Sequence, residues 1–137
     1  MNLPHLALLT ISKEGDVMSD KSLYDRLGGH DEIAALAKTV FTNHCKNEAI
    51  KKRYTNSDAE QVIRKVTEFM CAGFGGTEQY TGDDMLTAHT GMNISETEFN
   101  AVIDDVMSGL QTHNVGQQEQ DEILCALWSM RPEIVRV

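Results

Sequence analysis

The sequence predicts a single all-α domain, and three observations carry that prediction. Apolar residues recur three and four apart from Ser22 onward. No run of strict apolar–polar alternation is long enough to make a strand. Glycine clusters at Gly28–Gly29 and Gly73–Gly76 cut the pattern into helix-length pieces. At 137 residues, 41% of them hydrophobic, the chain suits one domain with a real core.

Leu23, Tyr24 and Leu27 predict a short first helix that stops at the first glycine pair. Asp31 and Glu32 open a second helix, with Ile33, Leu36, Ala37, Val40 and Phe41 on one side, running to about Cys45. Ala49–Tyr54 reads as a single helical turn. Ser57 can cap the next helix, with Glu60 three residues on, and Val62, Val66, Phe69 and Met70 share one face of it. That helix ends at Gly73–Gly76. A short helix ending in His89 follows, then a tight turn at Thr90–Gly91. Two long segments complete the chain, Ser95–Thr112 and Gln117–Arg131, with Pro132 ending the second. Ser95 and Glu98 form a capping-box pair at the start of the first.

Residues 1–21 differ from the rest. An apolar run, Leu6–Ile11, precedes the polar stretch Ser12–Lys21, without the basic start and small-residue cleavage site of a secretory signal. They read as an N-terminal extension ahead of a domain over 22–137. A natural start at Met18 and a genuine extension packed on the domain both stay open.

Charge and cysteine usage exclude several function classes. The net charge of −9 argues against a nucleic-acid binder, which needs a basic face, and against docking on an anionic membrane. No apolar run reaches transmembrane length. The three cysteines, Cys45, Cys71 and Cys125, are odd in number and form no CxxC, so neither a disulfide framework nor a zinc site is indicated. They read as small buried thiols in a reducing cytoplasm.

The chain is organised around Gly82–Phe99. There Met85, Leu86, His89 and Met92 sit at helical spacing or one turn on, which puts one imidazole on an apolar face. Taken alone, such a histidine is more often a packed or surface residue than a ligand. Its neighbours change the reading. SLYDRLGG at Ser22–Gly29, FMCAGFGG at Phe69–Gly76, YTG at Tyr80–Gly82 and AHTGMNI at Ala88–Ile94 occur in one order and spacing. With these four motifs the chain resembles the group I truncated haemoglobins, without a gap from Ser22 to the C-terminus.

The resemblance implies a two-over-two helical sandwich with haem b (iron protoporphyrin IX) between its layers. It makes His89 the proximal iron ligand, whose second ring nitrogen needs an acceptor such as a backbone carbonyl of the preceding turn. Phe41, Val62, Val66, Phe69, Met85, Leu86, Met92, Phe99, Val102 and Val106 are candidates to line the haem slot; in any helical bundle they would also serve as plain core. The other histidines, His5, His30, His44 and His113, read as exposed surface.

On the distal side the chain departs from the family. Members usually carry a tyrosine where Phe41 stands, and often glutamine at one or both of the positions held by Val62 and Val66. Gln61 lies one residue out of register with the apolar face. Bound O₂ gains from a donor in a dry pocket, so losing one costs roughly 1–3 kcal/mol, about ten- to a hundred-fold in affinity. The remaining polar group is Lys65. At its position the family often has a basic residue that pairs with a haem propionate, and some members use the residue there as a distal iron ligand. An amine can ligate only when deprotonated, which burial beside Val62 and Val66 favours.

The implied function is reversible binding of diatomic gases (O₂, CO, NO) in the cytoplasm. Nitric oxide dioxygenation, sensing and electron transfer through a Lys65-ligated haem are alternatives, and the redox readings call for a reductase partner. A haem-free helical interaction protein that kept the fold is the reading of a different class.

Overall fold

The structure, a computed structural model, describes residues 21–137. Residues 1–20 of the N-terminal extension, with His5, the Leu6–Ile11 run and Met18, lie outside the described residues.

Helix α1 spans Leu23–Arg26, with the Ser22 hydroxyl accepting from the Asp25 N–H at 3.1 Å. It stops at Gly28 and Gly29, at φ +103° and +86°, a backbone region that favours glycine. A Cβ on Gly28 would also meet Glu32 Cγ at 2.7 Å. Helix α2, His30–Lys46, starts one residue before Asp31 and buries Ile33, Leu36, Ala37, Val40 and His44. The predicted turn at 49–54 is a 3₁₀ helix over Lys51–Tyr54.

Helix α3 covers Ala59–Gly73. Its cap is Asp58 and not Ser57: Asp58 Oδ1 accepts from the Gln61 N–H at 3.3 Å. Both residue types can cap, and the carboxylate also complements the positive end of the helix dipole. Helix α4, Met85–His89, is capped by Asp84, which accepts from the Thr87 N–H at 2.7 Å. Helix α5, Glu96–Thr112, carries both halves of the Ser95–Glu98 capping box, at 3.1 and 3.0 Å. Helix α6, Gln117–Ser129, ends short of Arg131, and Pro132 sits in a 3₁₀ turn over Arg131–Glu133. Among the described residues there is no strand, and no helix is long and apolar enough to cross a membrane.

The helices form two pairs. Helix α2 packs on α3, and α5 packs on α6; α2 also packs on α5, which joins the pairs. One core cluster gathers Leu23, Ile33, Leu36, Cys71, Leu110 and Ile123, and a second is built on Ile94, Phe99 and Ile103. Each fully buried aliphatic side chain contributes about 1.5–3 kcal/mol. Arg26 ties α1 to α6 through Glu119 at 2.6 Å and Glu122 at 2.6 and 2.8 Å. Of the cysteines only Cys71 is buried; Cys45 and Cys125 are exposed. Each exposed thiol is one residue away from a core-facing neighbour, His44 or Ala126, and one residue turns a helix by about 100°.

The chain end closes over the segment after His89. The Val137 carbonyl accepts from the N–H groups of Gly91 and Asn93, each at 3.2 Å, and Arg136 N–H donates to the Ile94 carbonyl at 2.9 Å.

Candidate functional site

A cavity of about 280 Å³ lies between the helix pairs. Helix α2 contributes Val40, Phe41 and His44, and α3 contributes Val62, Lys65, Val66 and Phe69. Helix α4 contributes Met85 and His89, and α5 contributes Val102 and Val106. Ile123, Ala126 and Leu127 of α6 line the far end. Gln61 is exposed and does not line the cavity, in keeping with the Val62 register.

Three of the expected lining residues do not reach it. Leu86 is 47% exposed and Met92 38% exposed. On the short α4, Met85 and His89 are four apart and share the cavity face, while Leu86 points about 100° away. Met92 lies beyond the turn. Phe99 is buried elsewhere, in the second core cluster, with its ring edge-on to Trp128 at 5.5 Å. On α5, Phe99 and Ile103 form one row, and Val102 and Val106 form the next row that faces the cavity.

His89 Nδ1 lies 2.7 Å from the Met85 carbonyl. A carbonyl can only accept, so Nδ1 carries the proton and Nε2 is left with its lone pair. Across the cavity, the Lys65 amine donates to the Thr81 hydroxyl at 2.5 Å. Thr81 is itself held by Glu68, through its N–H at 3.1 Å and its hydroxyl at 2.7 Å; these bonds hold the Glu68 carboxyl below its usual range. Tyr80 packs edge-on to Phe69 at 5.3 Å and donates to the Asp83 carbonyl at 2.6 Å. A Cβ at Gly82 would collide with the Tyr80 hydroxyl.

His44 corrects the surface reading. It is 8% exposed, and its Nδ1 lies 2.7 Å from Asp105 Oδ2. Asn47 donates to the other carboxylate oxygen at 3.0 Å, and Asn43 to the Asp105 carbonyl at 3.1 Å. Burial pushes the His44 pKa down, against the pull of Asp105. Tyr54 stacks on His44, with centroids 5.4 Å apart and planes at 14°, and meets Phe41 edge-on at 5.6 Å. Burial raises the Tyr54 phenol pKa. Neither residue carries a motif that would place it in the site from the sequence alone. The available signal was spacing: His44 follows Val40 by four residues and continues the apolar stripe of α2. His30 is exposed as expected, whereas His113 is partly buried and meets the Thr39 hydroxyl at 2.7 Å.

The family model for bacterial-like globins matches residues 22–135. The chain belongs to the bacterial-like globin family. This globin is 29% identical over 113 residues to the group 1 truncated hemoglobin GlbN of Mycolicibacterium paratuberculosis, covering 82% of this chain and 83% of that one. It is 28% identical over 91 residues to a group 1 truncated hemoglobin of Tetrahymena pyriformis, covering 66% and 75%. A crystal structure of a mutant of the truncated hemoglobin from Tetrahymena pyriformis, in the Fe(III) form, superposes with a TM-score of 0.82 at 25% identity, covering 85% of this chain and all of that one. The 2/2 hemoglobin of Synechococcus shares the fold at a TM-score of 0.79, 24% identity, covering 84% and 98%. The two-over-two sandwich expected from sequence is therefore the fold of this globin, and haem-based gas binding is the general function of its family.

The residues present fit a flat apolar group that would be held by one imidazole nitrogen. The cavity walls are aliphatic and aromatic, and the His89 Nε2 lone pair has no partner among the described residues.

Proposed function

We propose that this globin holds haem b through His89 and binds O₂, CO or NO reversibly on the side facing α2 and α3, in the cytoplasm. The observation that carries the reading is the His89 Nδ1 contact with the Met85 carbonyl, which sets the tautomer and frees Nε2 for a metal. When bound, haem supplies an iron centre with one coordination position open to a small ligand.

The chain's own residues set the conditions at that centre. Met85, Phe69, Val62 and Val66 give the slot apolar walls, with Val66 at its open, 37% exposed edge. Lys65, drawn toward Thr81, is suited to pair with a carboxylate of the haem edge. A second reading rests on Lys65 lining the cavity: its amine, deprotonated, would close the open position and favour electron transfer. A reductase that returns the iron to the ferrous state is the expected partner for redox chemistry of either kind.

Absorption spectra of ferrous and ferric protein, with and without CO, test the reading. A Soret band that shifts with CO is expected. A ferrous spectrum that is six-coordinate and low-spin, and reverts to five-coordinate in Lys65→Ala, would establish the second reading. Absence of any Soret band after haem reconstitution would leave a haem-free interaction protein.

A further inference from the structure

Five residues lining the cavity carry side-chain groups that exchange hydrogen bonds: His44, Tyr54, Lys65, Tyr80 and His89. Four are already engaged within the protein. His89 meets the Met85 carbonyl, Tyr80 donates to the Asp83 carbonyl, and Lys65 is drawn to Thr81 at the loop. His44 faces the Asp105 carboxylate, an acceptor, so its Nδ1 carries the proton. With burial keeping the imidazole neutral, its Nε2 is an acceptor and cannot donate. The Tyr54 hydroxyl has no hydrogen-bond partner among the described residues.

The Tyr54 ring is nevertheless well held. It ends the 3₁₀ helix Lys51–Tyr54, lies flat on His44 and takes the edge of Phe41. Behind it, Asp105 and Asn47 fix His44 across the α2–α5 contact. A phenol in this burial keeps its proton at neutral pH and stays a donor. Phe41, against the same ring, offers no hydroxyl.

We propose that Tyr54 is the hydrogen-bond donor to a diatomic ligand that gathers negative charge in this cavity, supplied from the α2–α3 connection and not from α2 itself, and that His44, held by Asp105, positions its ring. The inference rests on the haem-binding reading above. It makes Tyr54 a specificity residue. A ligand that gathers negative charge on binding, as O₂ does, gains from a hydrogen bond donated by the phenol O–H, and CO gains much less.

The test uses full-length protein loaded with haem, in wild-type form and as Tyr54→Phe, which removes one oxygen and keeps both ring contacts. O₂ release is expected to quicken about ten- to a hundred-fold, the worth of one hydrogen bond, with CO release little changed. The infrared C–O stretch of the CO complex should move to higher frequency as the donor is lost. His44→Ala, which removes the stacking surface, should broaden or split that band, whereas His44→Phe, which keeps a flat ring, should preserve it. If Tyr54→Phe fails to fold, a wild-type C–O band that is unmoved between H₂O and D₂O and lies at the high frequency of a donor-free site overturns the proposal. Unchanged O₂ release and an unmoved band in folded, haem-loaded Tyr54→Phe also overturn it, and leave the haem-binding reading intact. The same changes appearing in Lys65→Ala and not in Tyr54→Phe assign the donor to Lys65 instead. Wild-type protein that takes up no haem overturns both readings.

Discussion

The two walls of the cavity are built in different ways. On the α4 wall, the contact that orients His89 spans four residues, from its own ring to the Met85 carbonyl. The cap of that helix is equally local, Asp84 to Thr87. On the α2–α3 wall, the contacts that place His44 and Tyr54 depend on Asp105, 61 residues from His44 and 58 from Asn47. A local contact forms whenever the short helix forms. A distant one forms only when α2 and α5 are already packed, because loop closure must be compensated by the rest of the core. The α4 wall is thus a property of a segment, and the α2–α3 wall a property of the whole fold.

The largest expected effect tests the local wall. His89→Gly should abolish stable haem uptake, and added imidazole should restore a Soret band by occupying the space left by the ring. An unaltered spectrum without imidazole would take the axial role from His89.

Next is Phe41, on the distant wall. Phe41→Tyr adds a hydroxyl beside Tyr54 and should slow O₂ release about ten-fold, measured by stopped-flow displacement with CO. An unchanged rate would mean that residue 41 does not face the ligand, or that Tyr54 already satisfies it.

Stability should separate the walls directly. Asp105→Ala leaves the buried His44 and the half-buried Asn47 without their acceptor and should cost about 1–3 kcal/mol, a fall of several degrees in Tm. Thr90→Ala, which removes a hydroxyl bonded to the Leu86 carbonyl at the exposed end of α4, should stay within about 0.5 kcal/mol. Equal losses in thermal unfolding of the two variants would erase the contrast.

The His44 pair also predicts a pH dependence. Its folded pKa lies below the ordinary 6.5, so the unfolded chain binds the proton first. Stability should therefore be complete above about pH 6.5 and decline as the pH falls below it. His44→Phe should flatten that part of the curve in denaturant titrations; a curve unchanged by the substitution would remove His44 as its cause.

Lys65→Ala carries the smallest expected effect if the amine pairs at the haem edge: no change in coordination number, and about 0–1 kcal/mol of stability. A switch of spin state in that variant would instead tie Lys65 to the iron.

Much of this was legible in the residues alone. The glycine breaks, the capping box at Ser95 and Glu98, and the four-residue step from Met85 to His89 are short-range features, and short-range features survive being read in one dimension. The apolar faces of α2 and α3 were legible for the same reason, since a helix repeats every 3.6 residues wherever it sits. What one dimension does not contain is which row of a helix meets which neighbour. Phe99 and Val102 are both apolar and three apart on α5, yet packing against Trp128 takes Phe99 into one cluster while Val102 faces the cavity. His44 looked like a surface histidine because its partner is on another helix, and Tyr54 looked like the mere end of a helical turn because its ring partners, His44 and Phe41, are on α2. Burying a polar side chain is unfavourable unless a partner meets it, and only the packing of α2 against α5 brings that partner into reach.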